Sequence, residues 1–290
     1  MKNKIEKNLI IGTVQFTKKY GFNKKKVSLN EIKKILKYLN KQKIDYIDEA
    51  IDYNFLEYIS NKKLDISKKK IITKIPSIKN EKEFDKLTNI LKSSLSKNKK
   101  KSYYAILLHD TININKNKLI KNLEYLSRLK KKKLTLNTGV SLYNLKDFLK
   151  IIKFFKPDIV QVPINIVDRE FLDKRFETYV RKNKVQVHAR SIFLQGSFLQ
   201  KKNNFLKIDK QLKQLDKICL KYKISRVDAL ISYVLNIKFV NKIVIGVANL
   251  DQLKEISHSK VINFKKDEFL NMRVVNKIKK PYLWKHNEQK

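Results

Sequence analysis

The stretch IDEAIDYN, residues 47–54, ends a short β-branched run with an acid and a phenol, Asp48 and Tyr53. Two later runs end in the same manner, since IITKIP brings Lys74 and AILLHD brings His109. In a parallel β/α barrel, the C-terminal ends of the strands form the active site. The three stretches therefore predict a barrel whose strand ends bring together four groups suited to proton transfer.

Eight apolar runs of strand length alternate with amphipathic patterns along the 290 residues. They cover residues 9–14, 45–48, 71–75, 104–108, 134–140, 158–163, 185–190 and 242–247. This alternation predicts an α/β fold, a (β/α)8 TIM barrel, with extra helices after strand seven and at the C-terminus. A doubly wound dehydrogenase is disfavoured, because no G-x-G-x-x-G follows the first run.

Helical patterns fill the intervals between the runs. Ser28 is a favourable N-cap, and Glu31 three residues later predicts a capping box, while Ser225 opens the second helix before the last run. The patterns cover residues 28–42, 81–94, 118–129, 145–155, 168–181, 207–222, 226–235, 249–257 and, as a closing helix, 266–275.

No linker divides the chain, which has only five glycines and four prolines. We therefore expect one domain over residues 1–290, with a barrel core at about 8–275 and a charged tail at 277–290. The sequence has no apolar run of the roughly 18 residues that a membrane helix needs, and we expect a cytoplasmic protein without a membrane partner.

A net charge of +40 usually suggests nucleic acid as a partner. The lysine runs at 68–70, 99–101 and 130–133 each precede a predicted strand, so a barrel places them on its N-terminal face, away from the site; the run at 24–26 is an exception. We expect solvated surfaces that adhere weakly to polyanions, with no specific nucleic-acid site.

Cysteine and histidine point away from disulfides and metals. Cys219 is the only cysteine, so an intrachain disulfide is excluded, and its helical stripe predicts a small core residue. The four histidines lack the spacing of metal ligands.

With its quartet and its opening LIIGTVQFTKKYGF, the chain resembles the aldo/keto reductases. The five-residue step from Asp48 to Tyr53 agrees with that family's Asp-x-x-x-x-Tyr motif. The resemblance implies that Tyr53 is the acid/base, that Lys74 lowers its pKa, that Asp48 holds Lys74 and that His109 orients the carbonyl oxygen. It also implies reduction of an aldehyde or ketone, with a sugar-derived carbonyl as one candidate substrate. We expect a monomer or small homo-oligomer.

The same resemblance implies a nicotinamide cofactor, NADPH by family habit with NADH possible. Ser141 and Gln161 match the residues that hold the carboxamide, with Asn165 as a weaker candidate nearby. Arg190 and Ser191 fall beside the nicotinamide. The loop after the last strand and its helix N-terminus suit phosphates, and the matching residues there are Gly246, Val247, Ala248, Asn249 and Gln252.

Several positions depart from the family pattern. Asn54 replaces a glycine after the tyrosine, and we expect the turn to survive because asparagine tolerates positive φ. Glu49 replaces a small hydroxyl residue, and Leu142 replaces a carboxamide-binding asparagine. No arginine follows the last strand to grip a 2′-phosphate, and Lys254 is the possible substitute. We expect the apolar walls of the substrate site to come from Tyr20, Phe22, Phe193 and Trp284.

The alternative hypothesis is an inactive barrel that serves as a binding or regulatory protein, adhering to nucleic acid through its lysines.

Overall fold

The eight predicted strands are present and close into a barrel. The computed structural model describes residues 5–21, 26–109, 114–202, 206–265, 267–272, 274–279 and 284. Each strand pairs in parallel with the next, and the last pairs with the first. The strands are β1 (Leu9–Gly12), β2 (Tyr46–Asp48), β3 (Lys70–Ile75), β4 (Tyr103–Leu108), β5 (Thr135–Ser141), β6 (Ile159–Pro163), β7 (Gln186–Arg190) and β8 (Val240–Gly246).

The helices surround this barrel, and no helix among the described residues has the length and apolar character to cross a membrane. They are α1 (Val14–Thr17), α2 (Leu29–Lys41), α3 (Phe55–Asn61), α4 (Glu81–Lys97), α5 (Lys116–Lys131), α6 (Leu145–Ile151), α7 (Lys174–Lys182), α8 (Asp209–Tyr222), α9 (Arg226–Leu235), α10 (Leu250–Ser257) and α11 (Asn276–Lys279). Helix α3 was not predicted, and the pattern at 168–181 resolves into a short 3-10 turn and α7, which Asp173 caps.

The predicted closing helix at 266–275 is wrong, because residues 267–271 form turns and α11 follows them. The guanidinium of Arg169 donates to the backbone carbonyls of Phe269 and Leu270. The Phe269 carbonyl also accepts from the backbone N–H of Met272, three residues later, as in a turn. A residue about 100 positions away thus bonds to the segment that forms turns in place of the predicted helix.

The hydrophobic core has two parts, one inside the barrel and one around it. An inner cluster fills the barrel below the strand ends, and it consists of Ile10, Ile72, Ala105, Leu107 and Ile159. A larger outer cluster lies between the strands and the helices. The inner cluster closes the barrel from below, so the polar strand ends above it are open only toward the C-terminal face.

Six helices end on a lysine in the left-handed conformation, where glycine is the usual residue. In each case the lysine N–H bonds to the carbonyl three residues earlier, and the next N–H bonds to the carbonyl five residues before it, which is the Schellman motif. These lysines are Lys43, Lys63, Lys99, Lys133, Lys184 and Lys223. Five of them precede strands, so they add positive charge to the N-terminal face, as do the three predicted lysine runs.

Replacing such a lysine by glycine should stabilise the fold. Lys133 has φ 58°, and Lys133→Gly should raise the free energy of unfolding by about 0.5–1 kcal/mol because glycine adopts this conformation without strain. The matched control is Lys132→Gly, which removes a neighbouring exposed lysine at φ −72° and should bring no gain. Urea denaturation measures both, and equal effects of the two substitutions would contradict the argument.

Candidate active site

A cavity of about 440 Å³ opens at the C-terminal ends of the strands. Eleven of the twelve predicted catalytic and cofactor-binding residues line it. These are Asp48, Tyr53, Lys74, His109, Ser141, Gln161, Arg190, Ser191, Gly246, Asn249 and Gln252. The twelfth, Val247, has its side chain buried in the hydrophobic core. The strand ends thus bring together groups that are up to about 200 residues apart in the chain.

A buried ion pair occupies the floor of the cavity. The Lys74 ammonium donates to Oδ1 of Asp48 at 2.5 Å and to the backbone carbonyl of Glu49 at 3.0 Å. Both Asp48 and Lys74 are only 4% exposed. On the other side, Nε2 of Gln161 donates to Oδ2 of Asp48 at 2.8 Å, and the Ser141 hydroxyl donates to Oε1 of Gln161 at 3.4 Å. The carboxylate therefore orients an ammonium and an amide at once.

Tyr53 reaches the cavity from a 3-10 turn that follows β2. Asn54 has φ 54° and ψ 28°, so the expectation that asparagine would preserve this turn is confirmed. The Lys74 ammonium lies 5.6 Å from the centre of the Tyr53 ring. Burial nevertheless raises the pKa of Tyr53 far above its ordinary value, and Asp48 raises it further. The net shift is therefore opposite to the lowering that the resemblance implies, and the Lys74 ammonium is paired with Asp48.

His109 follows β4 directly, and its backbone N–H donates to the backbone carbonyl of Ile75. Burial, and then the positive charges of Lys74 and Arg190, lower the pKa of His109 to about 3. The imidazole is therefore neutral across the physiological range. A neutral imidazole is able to donate one hydrogen bond to a ligand oxygen without carrying a charge into the cavity.

Arg190 packs against Tyr143, a lining residue that the sequence did not predict. Its guanidinium is 4.4 Å from the centre of the Tyr143 ring, and it donates to the carbonyl of Leu142 at 2.9 Å and to the Ser191 hydroxyl at 3.3 Å. The Leu142 side chain itself is fully buried in the core. Asn165 is also unsuited to a ligand, since its side chain bonds to backbone groups of residues 167, 168 and 191.

The mouth of the cavity brings together the β1 and β7 loops. Gln195 donates to the Tyr20 hydroxyl at 3.3 Å, and Gln15 donates to the Tyr20 carbonyl at 3.2 Å. Tyr20 and Phe193 line the cavity as expected, whereas Trp284 is buried in the core and Phe22 lies outside the described residues, as do Lys24 and Lys25. Gln195 was missed because a glutamine between elements carries no sequence signal of its own, whereas Gln15 belongs to the opening segment that carried the resemblance.

The opposite end of the cavity is built from β8 and α10. Gly246 pairs with Gly12 of β1, and a Cβ atom on Gly246 would lie 3.2 Å from Oε1 of Gln15. The two glycines thus leave a backbone-lined groove. Asn249 caps α10 by accepting from the N–H of Gln252 at 2.9 Å. A glycine groove beside a helix N-terminus fits the phosphates of a dinucleotide.

Glu49 is directed away from this cavity, since it is not among the lining residues and successive side chains of a strand alternate. It is 2% exposed, and after burial its charge is the next cause of the raised pKa of Tyr103 in the outer core. Burial raises the pKa of Glu49 to about 7, although Lys74 partly offsets the effect. Glu49 therefore does not compete with Asp48 inside the cavity.

The ionisation of Glu49 should make the fold less stable as pH rises. Its ordinary pKa is 4.5, so between pH 4.5 and 7 the folded state keeps a proton that the unfolded state has released. Stability should fall through this window, to a full penalty of about 3 kcal/mol above pH 7. Glu49→Gln should remove that slope and gain most at pH 8. Urea denaturation at pH 5 and pH 8 measures it, and a gain of equal size at both pH values would refute the assignment.

Breaking the buried pair on one side should cost more than removing both charges. Lys74→Met leaves the Asp48 carboxylate buried without its partner, with an expected loss of about 3–5 kcal/mol of unfolding free energy. Combining it with Asp48→Asn removes the second charge but keeps an acceptor for Gln161, so the double variant should be more stable than Lys74→Met alone. A double-mutant cycle by urea denaturation tests this, and simple additivity of the two losses would exclude the coupling.

Comparison with known proteins agrees with this geometry. The sequence profile of the aldo/keto reductase family matches residues 8–277. No curated protein matches the chain by sequence. Similar solved structures include the thermostable aldo-keto reductase Tm1743 in complex with the inhibitor epalrestat, at 18% identity and a TM-score of 0.67 over 91% of this chain and 93% of that one.

Two further structures share the architecture. The aldo-keto reductase AKR11C1 from Bacillus halodurans, in its holo form, is 16% identical with a TM-score of 0.68, over 96% of this chain and 94% of that one. The glycerol dehydrogenase AKR11B4 from Gluconobacter oxydans is 15% identical with a TM-score of 0.67, over 91% and 90%. At these identities the structures establish the barrel, whereas the profile match over nearly the whole length establishes descent. The chain belongs to the aldo/keto reductase family, whose members are oxidoreductases that act on carbonyl compounds.

Proposed function

We propose that the protein reduces an aldehyde or ketone to an alcohol by hydride transfer from NAD(P)H, with Tyr53 as the proton donor. One observation carries the proposal: the Tyr53 phenol lies in the cavity beside the buried Lys74–Asp48 pair. A carbonyl that accepts hydride becomes an alkoxide and needs a proton at its oxygen. Tyr53 lines the cavity, and its phenol would supply that proton.

Each of the four residues Asp48, Tyr53, Lys74 and His109 would have its own role in the reaction. The neutral imidazole of His109 would donate a hydrogen bond to the carbonyl oxygen and hold it near the phenol. When Tyr53 gives up its proton, the Lys74 ammonium beside its ring would stabilise the phenolate until water reprotonates it. Asp48 is a positioning residue, because it acts on the substrate only through Lys74. Tyr20 and Tyr143 line the cavity and would contact the aldehyde or ketone, which a substrate screen identifies.

The remaining predicted residues fit a nicotinamide dinucleotide. The reduced nicotinamide supplies the hydride when the cofactor is bound. The Ser141 hydroxyl and Oε1 of Gln161 present acceptors for the carboxamide of the cofactor. The bond from Gln161 to Asp48 fixes the Gln161 side chain in this position. Arg190 and Ser191 would flank the ring. The groove at Gly246, the backbone of Val247 and the α10 cap formed by Asn249 and Gln252 would take the pyrophosphate and adenosine.

Tyr53→Phe tests the proton donor. Carbonyl reduction should fall by about 10²- to 10⁴-fold, because the hydroxyl is lost while the ring is kept. The dissociation constant of the cofactor should stay within about twofold, since no proposed cofactor contact is removed. Steady-state rates on a panel of aldehydes and ketones, together with fluorescence titration, give both values.

The matched control is Tyr58→Phe on α3, a half-buried tyrosine that does not line the cavity and should keep full activity. If Tyr53→Phe also kept full activity, another group would supply the proton. If the wild-type protein bound neither nicotinamide cofactor, the barrel would be a binding or regulatory protein instead.

A further inference from the structure

We propose that the cavity selects a dinucleotide with a free 2′-hydroxyl, NADH, over NADPH, and that Glu31, Gln252 and Glu255 make this selection. The inference rests on the proposed function, because it assigns the cofactor of that same site. It departs from the sequence-based expectation, in which NADPH was favoured. Three features of the described residues support it: the charges along the cavity, the partner of the α10 N-terminus and the acceptors on its wall.

Charge is distributed unevenly along the cavity. Its positively charged lining residues, Lys74 and Arg190, lie at strand ends β3 and β7. Among the described residues that line the cavity from α10, the charged one is Glu255. A 2′-phosphate carries a charge between about −1.5 and −2 at neutral pH and is normally met by an arginine or lysine. The α10 end supplies a carboxylate in its place.

Lys254 does not fill this gap. It lies on α10 but is not among the lining residues, and its ammonium is 3.7 Å from Oδ1 of Asp251 on the same helix. The substitute suggested by the sequence is therefore directed along the helix surface and paired with an acid. A phosphate in the cavity would gain little from it.

The N-terminus of α10 already has an anionic partner. Oε2 of Glu31, from the first turn of α2, accepts from the N–H of Leu250 at 3.0 Å. Lys34 donates to its other oxygen at 2.7 Å and fixes the carboxylate. The predicted capping box is thus only half formed, because Ser28 accepts from the N–H of Glu31 while the Glu31 side chain bonds to α10. This carboxylate satisfies the positive helix end that would otherwise favour a dianion.

Two further backbone N–H groups at the start of α10 bond to the oxygens of neutral side-chain amides. Oε1 of Gln252 accepts from the N–H of Ala248 at 2.8 Å, and Asn249 accepts from the N–H of Gln252. Gln252 is exposed on the cavity wall, so it is free to exchange these bonds for a ligand. A 2′-hydroxyl donates a hydrogen bond, and Glu255 and Gln252 both offer acceptor oxygens. The Glu255 carboxylate accepts from a hydroxyl and repels a phosphate, whereas the neutral amide of Gln252 accepts from the hydroxyl and supplies no cation for a phosphate.

The +40 net charge favours NADPH over NADH, and its effect on affinity must be distinguished from that of the cavity. NADPH carries more negative charge, so a basic surface attracts it more strongly at low salt. That attraction is screened beyond about 8 Å at 0.15 M ionic strength, whereas contacts within the cavity are screened much less. The preference is therefore to be measured at 0.15 M and again at 0.5 M salt.

The experiment titrates the full-length protein with NADH and NADPH by fluorescence and by calorimetry. We expect NADH to bind at least about tenfold more tightly at both salt concentrations. The double variant Glu31→Gln with Gln252→Arg removes a carboxylate and adds a guanidinium, so NADPH affinity should rise by about tenfold or more. The matched control is Lys254→Gln, which should leave the ratio of the two dissociation constants unchanged.

Each outcome decides a separate question. Equal affinities, or tighter binding of NADPH by the wild-type protein, would overturn the selection and leave the oxidoreductase proposal intact. Loss of NADPH binding in Lys254→Gln would assign the 2′-phosphate to that lysine and overturn it as well. Failure of both cofactors to bind and compete would overturn the proposed function itself, and the selection with it. Since the wild-type ratio is decisive, the test does not depend on the variants folding.

Discussion

The ion pair between Lys74 and Asp48 is the interaction on which the rest of the site depends. Two charges that are each 4% exposed are tolerated only because they meet at 2.5 Å and their other polar atoms are bonded to Glu49 and Gln161. Burial, and then the charge of Asp48, raise the pKa of Tyr53. The pair also fixes the amide of Gln161, so one buried carboxylate orients both the ammonium beside Tyr53 and the proposed carboxamide contact.

Barrel topology separates two kinds of positive charge in this chain. Strand ends at the C-terminal face carry a small number of cations, each with a defined neighbour, such as Arg190 on Tyr143. Helix ends at the opposite face carry lysines in the left-handed conformation, which complement the negative helix termini but strain the backbone. With only five glycines, the chain uses lysine where glycine would be easier. Among the described residues, five of the left-handed lysines thus place positive charge on the face remote from the cavity.

Within the cavity, electrostatic character changes from one end to the other. The catalytic end combines cations with a neutral imidazole and a protonated phenol, an environment that stabilises charge developing on an oxygen. The α10 end combines Glu255 with the amides of Gln252 and Asn249, and Glu31 satisfies the helix terminus from behind. A long ligand with a reactive ring at one end and a hydroxyl-rich group at the other matches this gradient.

Local pattern was enough to predict the eight strands, the order of the quartet and the turn at Asn54, because strand periodicity and positive φ depend on neighbouring residues. The sequence alone also placed the lysine runs before strands. Tertiary structure alone decided that Glu49 faces the outer core, that Glu31 bonds to Leu250 and that Arg169 bonds to the turns at 267–271. It also reversed the expected pKa of Tyr53. Burial and contacts between distant residues control these features, and neither is encoded in the spacing of residues along the chain.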